Sequence, residues 1–190
     1  FCEYAYIINL DTKRLEFYVG FQKTPDETNR YGTEDDRGYY PCKMVASYSL
    51  NSKRTAEQIV KMILQAINEE VRAGDVSFAD VTSGAWYEAY IATAVTNGIV
   101  NGVGDGKFGV GTNITRQDMA VLIERVLNFK NIEVEKAEVE PFADASSVAD
   151  YAQNAVANMK AIGLIKGYNN NYNPKDNLTR AEAATVISSL

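Results

Sequence analysis

Histidine is absent from the 190 residues. The commonest general base and zinc ligand goes with it, as does every Ser-His or Cys-His nucleophile pair. Cysteine occurs only as Cys2 and Cys42, with no metal-type clustering. They could form one disulfide or stay as thiols, and spacing leaves both open. No apolar run approaches the ~20 residues of a membrane helix, which argues against membrane insertion. No signal-peptide pattern opens the chain, and it starts at Phe1 rather than methionine, so the expectation is a mature or excised fragment of a larger protein. Positive charge is in short supply. Nineteen Lys and Arg face 25 Asp and Glu, for a net charge of −6. That disfavours nonspecific binding to nucleic acid or an anionic membrane. An acidic protein that grips an anionic polymer must do so with a few locally placed cations.

What the chain does have is a doubled stretch. Phe78-Ala79-Asp80 and Phe142-Ala143-Asp144 open the two copies. An aromatic follows (Trp86, Tyr151), then an apolar helical segment ending at Gly98 or Gly163. A second glycine comes four residues on (Gly102, Gly167), and an aromatic sits in the loop (Phe108, Tyr172). Each copy then reads Thr-Arg-x-acid, as Thr115-Arg116-Gln117-Asp118 and Thr179-Arg180-Ala181-Glu182. The two copies stand 64 residues apart, measured from Phe78 to Phe142 or from Arg116 to Arg180. A repeat of this quality outweighs any single motif.

Ahead of the repeats, residues 1–50 read as β structure. Tyr4 to Asn9 alternates, Asp11-Thr12-Lys13 turns, and Leu15 to Val19 returns as the second half of a hairpin. Gln22 to Gly38 is a polar loop whose run Glu34-Asp35-Asp36 reads as a solvated charge cluster rather than a cation site. Tyr39 to Leu50 supplies a third strand. Thr55 to Val71 is an amphipathic helix with a Thr55–Gln58 capping box and Gly74 as its stop. The expected fold class is therefore α+β: three strands and one helix, followed by mainly α helix–loop–helix repeats. Helices are expected near 85–97, 115–128, 149–161 and 179–190, with Trp86, Tyr90, Ala94 and Val95 marking the apolar face of the first and Trp86 itself partly exposed at its start. Asp105-Gly106 reads as a turn, since one carboxylate falls short of calcium's needs.

Thr115 with Asp118, and Thr179 with Glu182, are helix caps, each worth about 1 kcal/mol. The arginines are not explained that way. Arg116 and Arg180 lie in a first helical turn, where the macrodipole disfavours a cation by ~0.3–1 kcal/mol. Two readings follow: an intramolecular ion pair, with Asp80 or Asp144 as partner, or an anion site built from free amides and a guanidinium. Asn113-Ile114-Thr115 and Asn177-Leu178-Thr179 have the form of glycosylation acceptors, but their threonines are committed to caps.

The doubled pattern closely resembles the S-layer homology domain of bacterial surface proteins, over about 78–128 and 142–190. The resemblance implies helix–loop–helix repeats, commonly three, around a pseudo-threefold bundle. It further implies grooves that bind a secondary cell-wall polysaccharide, often pyruvylated, with the tetrad arginine on the carboxylate. Carried over, ligand contact falls to Arg116 and Arg180, with Trp86 and Tyr151 as the aromatics and Gly102 and Gly167 as close-approach glycines. Asp80 and Asp144 match the family's aspartate, structural or ligand-binding. Phe78, Phe142, Phe108 and Tyr172 are expected in the core. Two departures stand out. Gln117 fills a place that is usually small. Only two repeats are complete, although Arg54-Thr55-Ala56-Glu57 echoes the tetrad. Either a third repeat is lost, the helix from Thr55 stands in for it, or a second copy completes the bundle.

The expected organisation is 1–76 as a small α+β domain, 77–130 as repeat 1 and 131–190 as repeat 2. The expected role is nonenzymatic, extracellular anchoring to the bacterial cell wall through its polysaccharide. No cofactor, no metal and no nucleic-acid partner are expected. The alternative makes the repeats packing or oligomerisation units and leaves partner binding to residues 1–76.

Overall fold

A computed structural model describes residues 4–22, 40–133, 135 and 137–190. The side chains of 4–8, 18–22 and 40–46 lie outside that description, and so do the acidic run at 34–36 and any pairing of Cys2 with Cys42. The chain divides into two compact units, Phe1–Ser52 and Lys53–Leu190.

The first unit is an antiparallel sheet in the order β1-β2-β3, with β1 at Tyr4–Asn9, β2 at Arg14–Gln22 and β3 at Tyr40–Ser49. Its first turn forms because the Asn9 Oδ1 accepts from the amides of Asp11 and Thr12, and Lys13 takes a left-handed φ of 54°. Across β2 and β3, Phe17 meets Tyr48 edge to face at 5.9 Å.

The second unit is helical: α1 at Ala56–Ala66, α2 at Glu88–Thr96, α3 at Arg116–Phe129, α4 at Gln153–Ala161 and α5 at Arg180–Ile187. Two short 3-10 turns, Ala145–Ser147 and Asp150–Ala152, precede α4. The helix expected to run from Thr55 to Val71 stops at Ala66. Asn68, at φ 50°, makes the left-handed cap that had been assigned to Gly74, and the Glu69 amide reaches back to the Leu64 carbonyl. Gly98, Asn131 and Gly163 end α2, α3 and α4 in the same way.

The core follows one rule three times. Ile59 and Ile63 on α1, Met119 and Ile123 on α3, and Ala183 and Ile187 on α5 hold equivalent places and are all buried in one cluster. Just ahead of these helices the backbone closes a ring. The Arg54 amide donates to the Leu178 carbonyl at 3.1 Å, Leu178 to Ile114 at 2.9 Å, and Ile114 to Arg54 at 3.0 Å. Three chain segments that bond head to tail in this way define a pseudo-threefold axis. Thus α1 occupies the third position, as one of the three alternatives supposed, and it is part of the second compact unit. The outer helices interlock the positions: α2 packs on α1 and α4 on α3. The inner face of α2 is Ile91 and Ala94. Trp86, expected to be partly exposed, is 52% exposed and precedes the helix, which begins at Glu88; Val95, placed on the apolar face by its spacing, is 40% exposed.

Gly102 and Gly167 sit where a tight hairpin crosses the Phe-Ala-Asp segment. A Cβ on Gly102 would stand 2.4 Å from the Lys107 carbonyl and 2.6 Å from the Phe78 ring, at φ +78°. Gly104 has a left-handed φ but open space. Gly102→Ala is therefore expected to cost more than about 1 kcal/mol in thermal unfolding, and clearly more than Gly104→Ala. Equal losses would show that only the backbone angle matters.

Candidate functional site

The Thr-Arg-x-acid tetrads fold as expected at their caps. The Thr115 hydroxyl accepts from the Asp118 amide at 3.3 Å, and Thr179 from Glu182 at 3.2 Å, while each acid returns a bond to its threonine amide. On α1 the acid's place is held by Gln58, whose Oε1 accepts from the Thr55 amide at 3.3 Å. Ala56 stands where Arg116 and Arg180 stand on α3 and α5.

The ion-pair partner of Arg116 is neither Asp80 nor Asp144. It is Glu182, the cap acid of the next helix around the axis. The Arg116 Nε donates to the Tyr172 carbonyl at 2.6 Å, and the guanidinium lies 4.9 Å from the Tyr172 ring centre. Tyr172 is buried and its hydroxyl donates to the Arg116 carbonyl at 2.6 Å. Burial works against ionised Glu182, but the bonds from the Thr179 amide and hydroxyl and the charge of Arg116 outweigh it, so its pKa lies below the usual range. Sequence spacing could not show this pair, because it joins helices 66 residues apart.

The aspartates hold loops. Asp80 accepts from the amides of Phe108 at 2.7 Å, Gly109 at 2.7 Å and Val110 at 2.9 Å. Asp144 accepts from Tyr172 at 2.9 Å and Asn173 at 2.7 Å. Burial raises their pKa values, yet these amides outweigh it and hold both below the ordinary carboxylate range. Their loops carry the expected core aromatics Phe108 and Tyr172, both buried; Tyr172 stacks on the buried Phe142 at 5.2 Å, while Phe78, also expected in the core, is half-buried beside Phe108.

Two grooves follow from the symmetry. Groove 1 runs between the start of α1, the first repeat's loop and α3. It has a volume of about 200 Å³ and is lined by Ala56, Gly102, Asp118, Arg125 and Tyr151 among others. Groove 2 is one step around the axis, between the start of α3, the second loop and α5. It has about 470 Å³ and is lined by Arg116, Lys166, Gly167, Tyr172, Asp176 and Glu182 among others. Arg116 and Gly167 are thus brought together, and so are Gly102 and Tyr151. Arg180 and Trp86 line neither groove.

Tyr151 is 64% exposed, yet its hydroxyl donates to the Asp118 carboxylate at 2.5 Å and accepts from Gln117 Nε2 at 3.0 Å. Burial of the hydroxyl, then the bond to Asp118, push its pKa up to about 12. Gln117 Oε1 also accepts from the Ala149 amide at 3.0 Å. Its departure from a small residue is therefore a clasp between the two repeats. Trp86 stands instead with Tyr87 and Tyr90, under Lys61 Nζ at 5.5 Å. Emission from this one tryptophan should be red-shifted and readily quenched by acrylamide; a blue-shifted, protected signal would place it in the core.

Among the described residues no helix is long and apolar enough to cross a membrane. The S-layer homology domain matches residues 77–120 and 141–184. An amylopullulanase of Thermoanaerobacterium thermosulfurigenes is 36% identical over 146 residues, 75% of this chain and 8% of that protein. Exoglucanase XynX of Acetivibrio thermocellus is 34% identical over 82% of this chain and 14% of its own length. The surface-layer 125 kDa protein of Lysinibacillus sphaericus is 34% identical over 60% of this chain and 10% of its own. The chain spans only a small part of each of these relatives.

Proposed function

The chain carries two S-layer homology domains, residues 77–120 and 141–184, and from that premise we propose that its helical unit fastens a larger protein to the bacterial cell wall by gripping an anionic, pyruvylated polysaccharide in groove 2. The matched domain and the relatives named as surface-layer proteins support cell-surface anchoring as the role of the repeats. The relatives named for glycan hydrolysis extend far beyond this chain, which matches 8% and 14% of their lengths. Our domain reading keeps 77–130 and 131–190 as the two repeats and adds α1 as the third wall of the bundle.

One observation carries the ligand reading. Arg116 lines groove 2 with its guanidinium already oriented by Glu182 and the Tyr172 carbonyl. A carboxylate arriving there meets a fixed fork rather than a mobile cation, and Lys166 adds a second positive charge. The lining also includes Asp176 and Glu182. Affinity then comes from bidentate fit more than from net charge. Gly167 lets the loop pack against Phe142 and the Asn171 carbonyl without a clash, and Asp144 fixes the loop that forms the groove wall.

The same pair supports the rival reading. An arginine tied to an acid on the neighbouring helix could serve only to lock the bundle, leaving partners to residues 1–76. Sedimentation with cell-wall sacculi, before and after extraction of the secondary polymer, separates the two. Binding that disappears with the polymer supports anchoring; retention that ignores it, or no binding at all, supports the rival.

A further inference from the structure

Asparagine stands directly before glycine twice in the chain, at Asn97-Gly98 and Asn101-Gly102. In such a pair the asparagine side chain is open to attack by the next backbone nitrogen, because glycine has no side chain to shield that nitrogen. The fold treats the two pairs differently. The Gly98 amide closes α2. It donates to the Val95 carbonyl at 2.9 Å, the Ile99 amide donates to the Ala94 carbonyl at 2.8 Å, and the Asn97 side-chain nitrogen is buried. Asn101 lies beyond the helix and is exposed. Among the described residues neither its side chain nor the Gly102 amide takes part in a hydrogen bond. The matched residue ahead of Gly167 is Lys166, so the second repeat has no such pair.

We propose that Asn101 is a site of spontaneous deamidation, with water as the co-reactant, which ages the first repeat and spares the second. The Gly102 nitrogen bonds to Cγ of Asn101. The Cγ–Nδ2 bond breaks, and ammonia leaves with the Gly102 amide proton. The five-membered imide that remains takes up one water. It opens at Cγ to give aspartate, or at the main-chain carbonyl to give isoaspartate, whose backbone runs through the side chain and is one atom longer. No electrons are exchanged. The longer backbone falls where there is no room for it. One extra atom on the Gly102 Cα would stand 2.4 Å from the Lys107 carbonyl and 2.6 Å from the Phe78 ring. The hairpin is pinned there by the Val103 amide on the Lys107 carbonyl at 2.9 Å and by the Ala79 amide on the Gly106 carbonyl at 2.8 Å. Isoaspartate therefore pries the loop away from the Phe-Ala-Asp segment and adds a carboxylate that the sequence does not encode. Nothing in this chemistry depends on what the repeats bind.

The test incubates the intact chain in warm, mildly alkaline buffer, folded and in denaturant, and follows each asparagine by tandem mass spectrometry of its peptides. Deamidation adds about 1 Da, whereas isomerisation at Asp105-Gly106 adds none, so the two are told apart. In the folded protein Asn101 should gain the mass at least about tenfold faster than Asn97, and in denaturant the two rates should converge to within about threefold. The deamidated fraction, separated by anion exchange, should melt several degrees lower. Asn101→Asp, with the charge but an ordinary backbone, should melt within about 2 °C of the parent protein. Asn101→Gln should gain no mass at this position and keep its melting temperature through the same incubation. Equal rates in the folded protein, faster loss at Asn97, or no mass gain at Asn101 would overturn the site. A difference that persists in denaturant would overturn the role given to the fold. An unchanged melting temperature in the deamidated fraction, or an equal fall in incubated Asn101→Gln, would overturn the effect assigned to isoaspartate at the hairpin.

Discussion

Arg116→Ala is expected to weaken binding to polymer-bearing sacculi roughly tenfold to a hundredfold, whereas Arg180→Ala should stay within about threefold of the parent protein. The motif gives both arginines the same letter, and symmetry would give them the same effect. The structure separates them. Arg116 lines groove 2, which has a complete repeat loop as its wall; Arg180 lines neither groove. A guanidinium–carboxylate bond is worth about 1.5–3 kcal/mol, which sets the size of the loss. Arg116→Ala should also lower the melting temperature by a few degrees, because it leaves Glu182 without its ion pair and Tyr172 without the stacked cation. Arg116→Lys keeps the charge and much of the stability but not the fork, so it should bind at an intermediate level. Wild-type binding by both Arg116 variants, measured beside their unfolding, would remove Arg116 from the ligand site. Equal losses for Arg116→Ala and Arg180→Ala would instead require a second arginine groove.

Why the motif could not distinguish the two arginines is a matter of distance along the chain. A threonine cap and its acid are three residues apart, so Thr115–Asp118 and Thr179–Glu182 could be read directly and fold as read. The strands and their first turn are local in the same sense, and they appear where the alternation of Tyr4 to Asn9 and the Asp11-Thr12-Lys13 turn put them. The partner of Arg116, by contrast, lies on another helix, and the place of α1 on the threefold axis depends on a backbone ring through residues 54, 114 and 178. The sequence carried only an echo of that, in Arg54-Thr55-Ala56-Glu57, and Ala56 is where the echo lacks its arginine. Gln117 looked like a weakness in the repeat because a lone side chain cannot announce that it bridges to Tyr151 and Ala149. The helical stripe begun at Trp86 misled only in part. Trp86 is partly exposed, as expected of its amphipathic ring, but two residues of turn precede α2, and the periodicity has no meaning before the helix begins; Val95, counted on the same stripe, is 40% exposed.

Asp80→Ala should be among the most destabilising single changes in the helical unit, at about 2–5 kcal/mol, and should flatten the acid limb of its stability curve. The carboxylate spans the fold from the Phe-Ala-Asp turn to the loop, where it takes three successive amides from Phe108, Gly109 and Val110. Hydrogen bonds to a charged acceptor contribute about 1.5–3 kcal/mol each, and an amide left buried without a partner costs about 1–3 kcal/mol. Water can reach part of this half-buried site, which keeps the total below the simple sum. Asp80→Asn retains one carbonyl oxygen and should lose about half as much. The pH dependence has a definite sign. The folded-state pKa of Asp80 is below its unfolded value, near 3.9, so its stabilisation is fully present above about pH 4 and is lost as the pH falls through the folded value. Asp144 makes the same contribution to the second loop, and so the wild-type protein should lose stability steeply below about pH 4. Either Asp80 variant should show a shallower loss over that interval, because the group that titrates is gone. Denaturant unfolding of the wild type and both variants between about pH 2 and 7 tests this. Parallel pH curves for all three would mean that Asp80 does not bind these amides as an anion, and the loop that walls groove 1 would need another anchor.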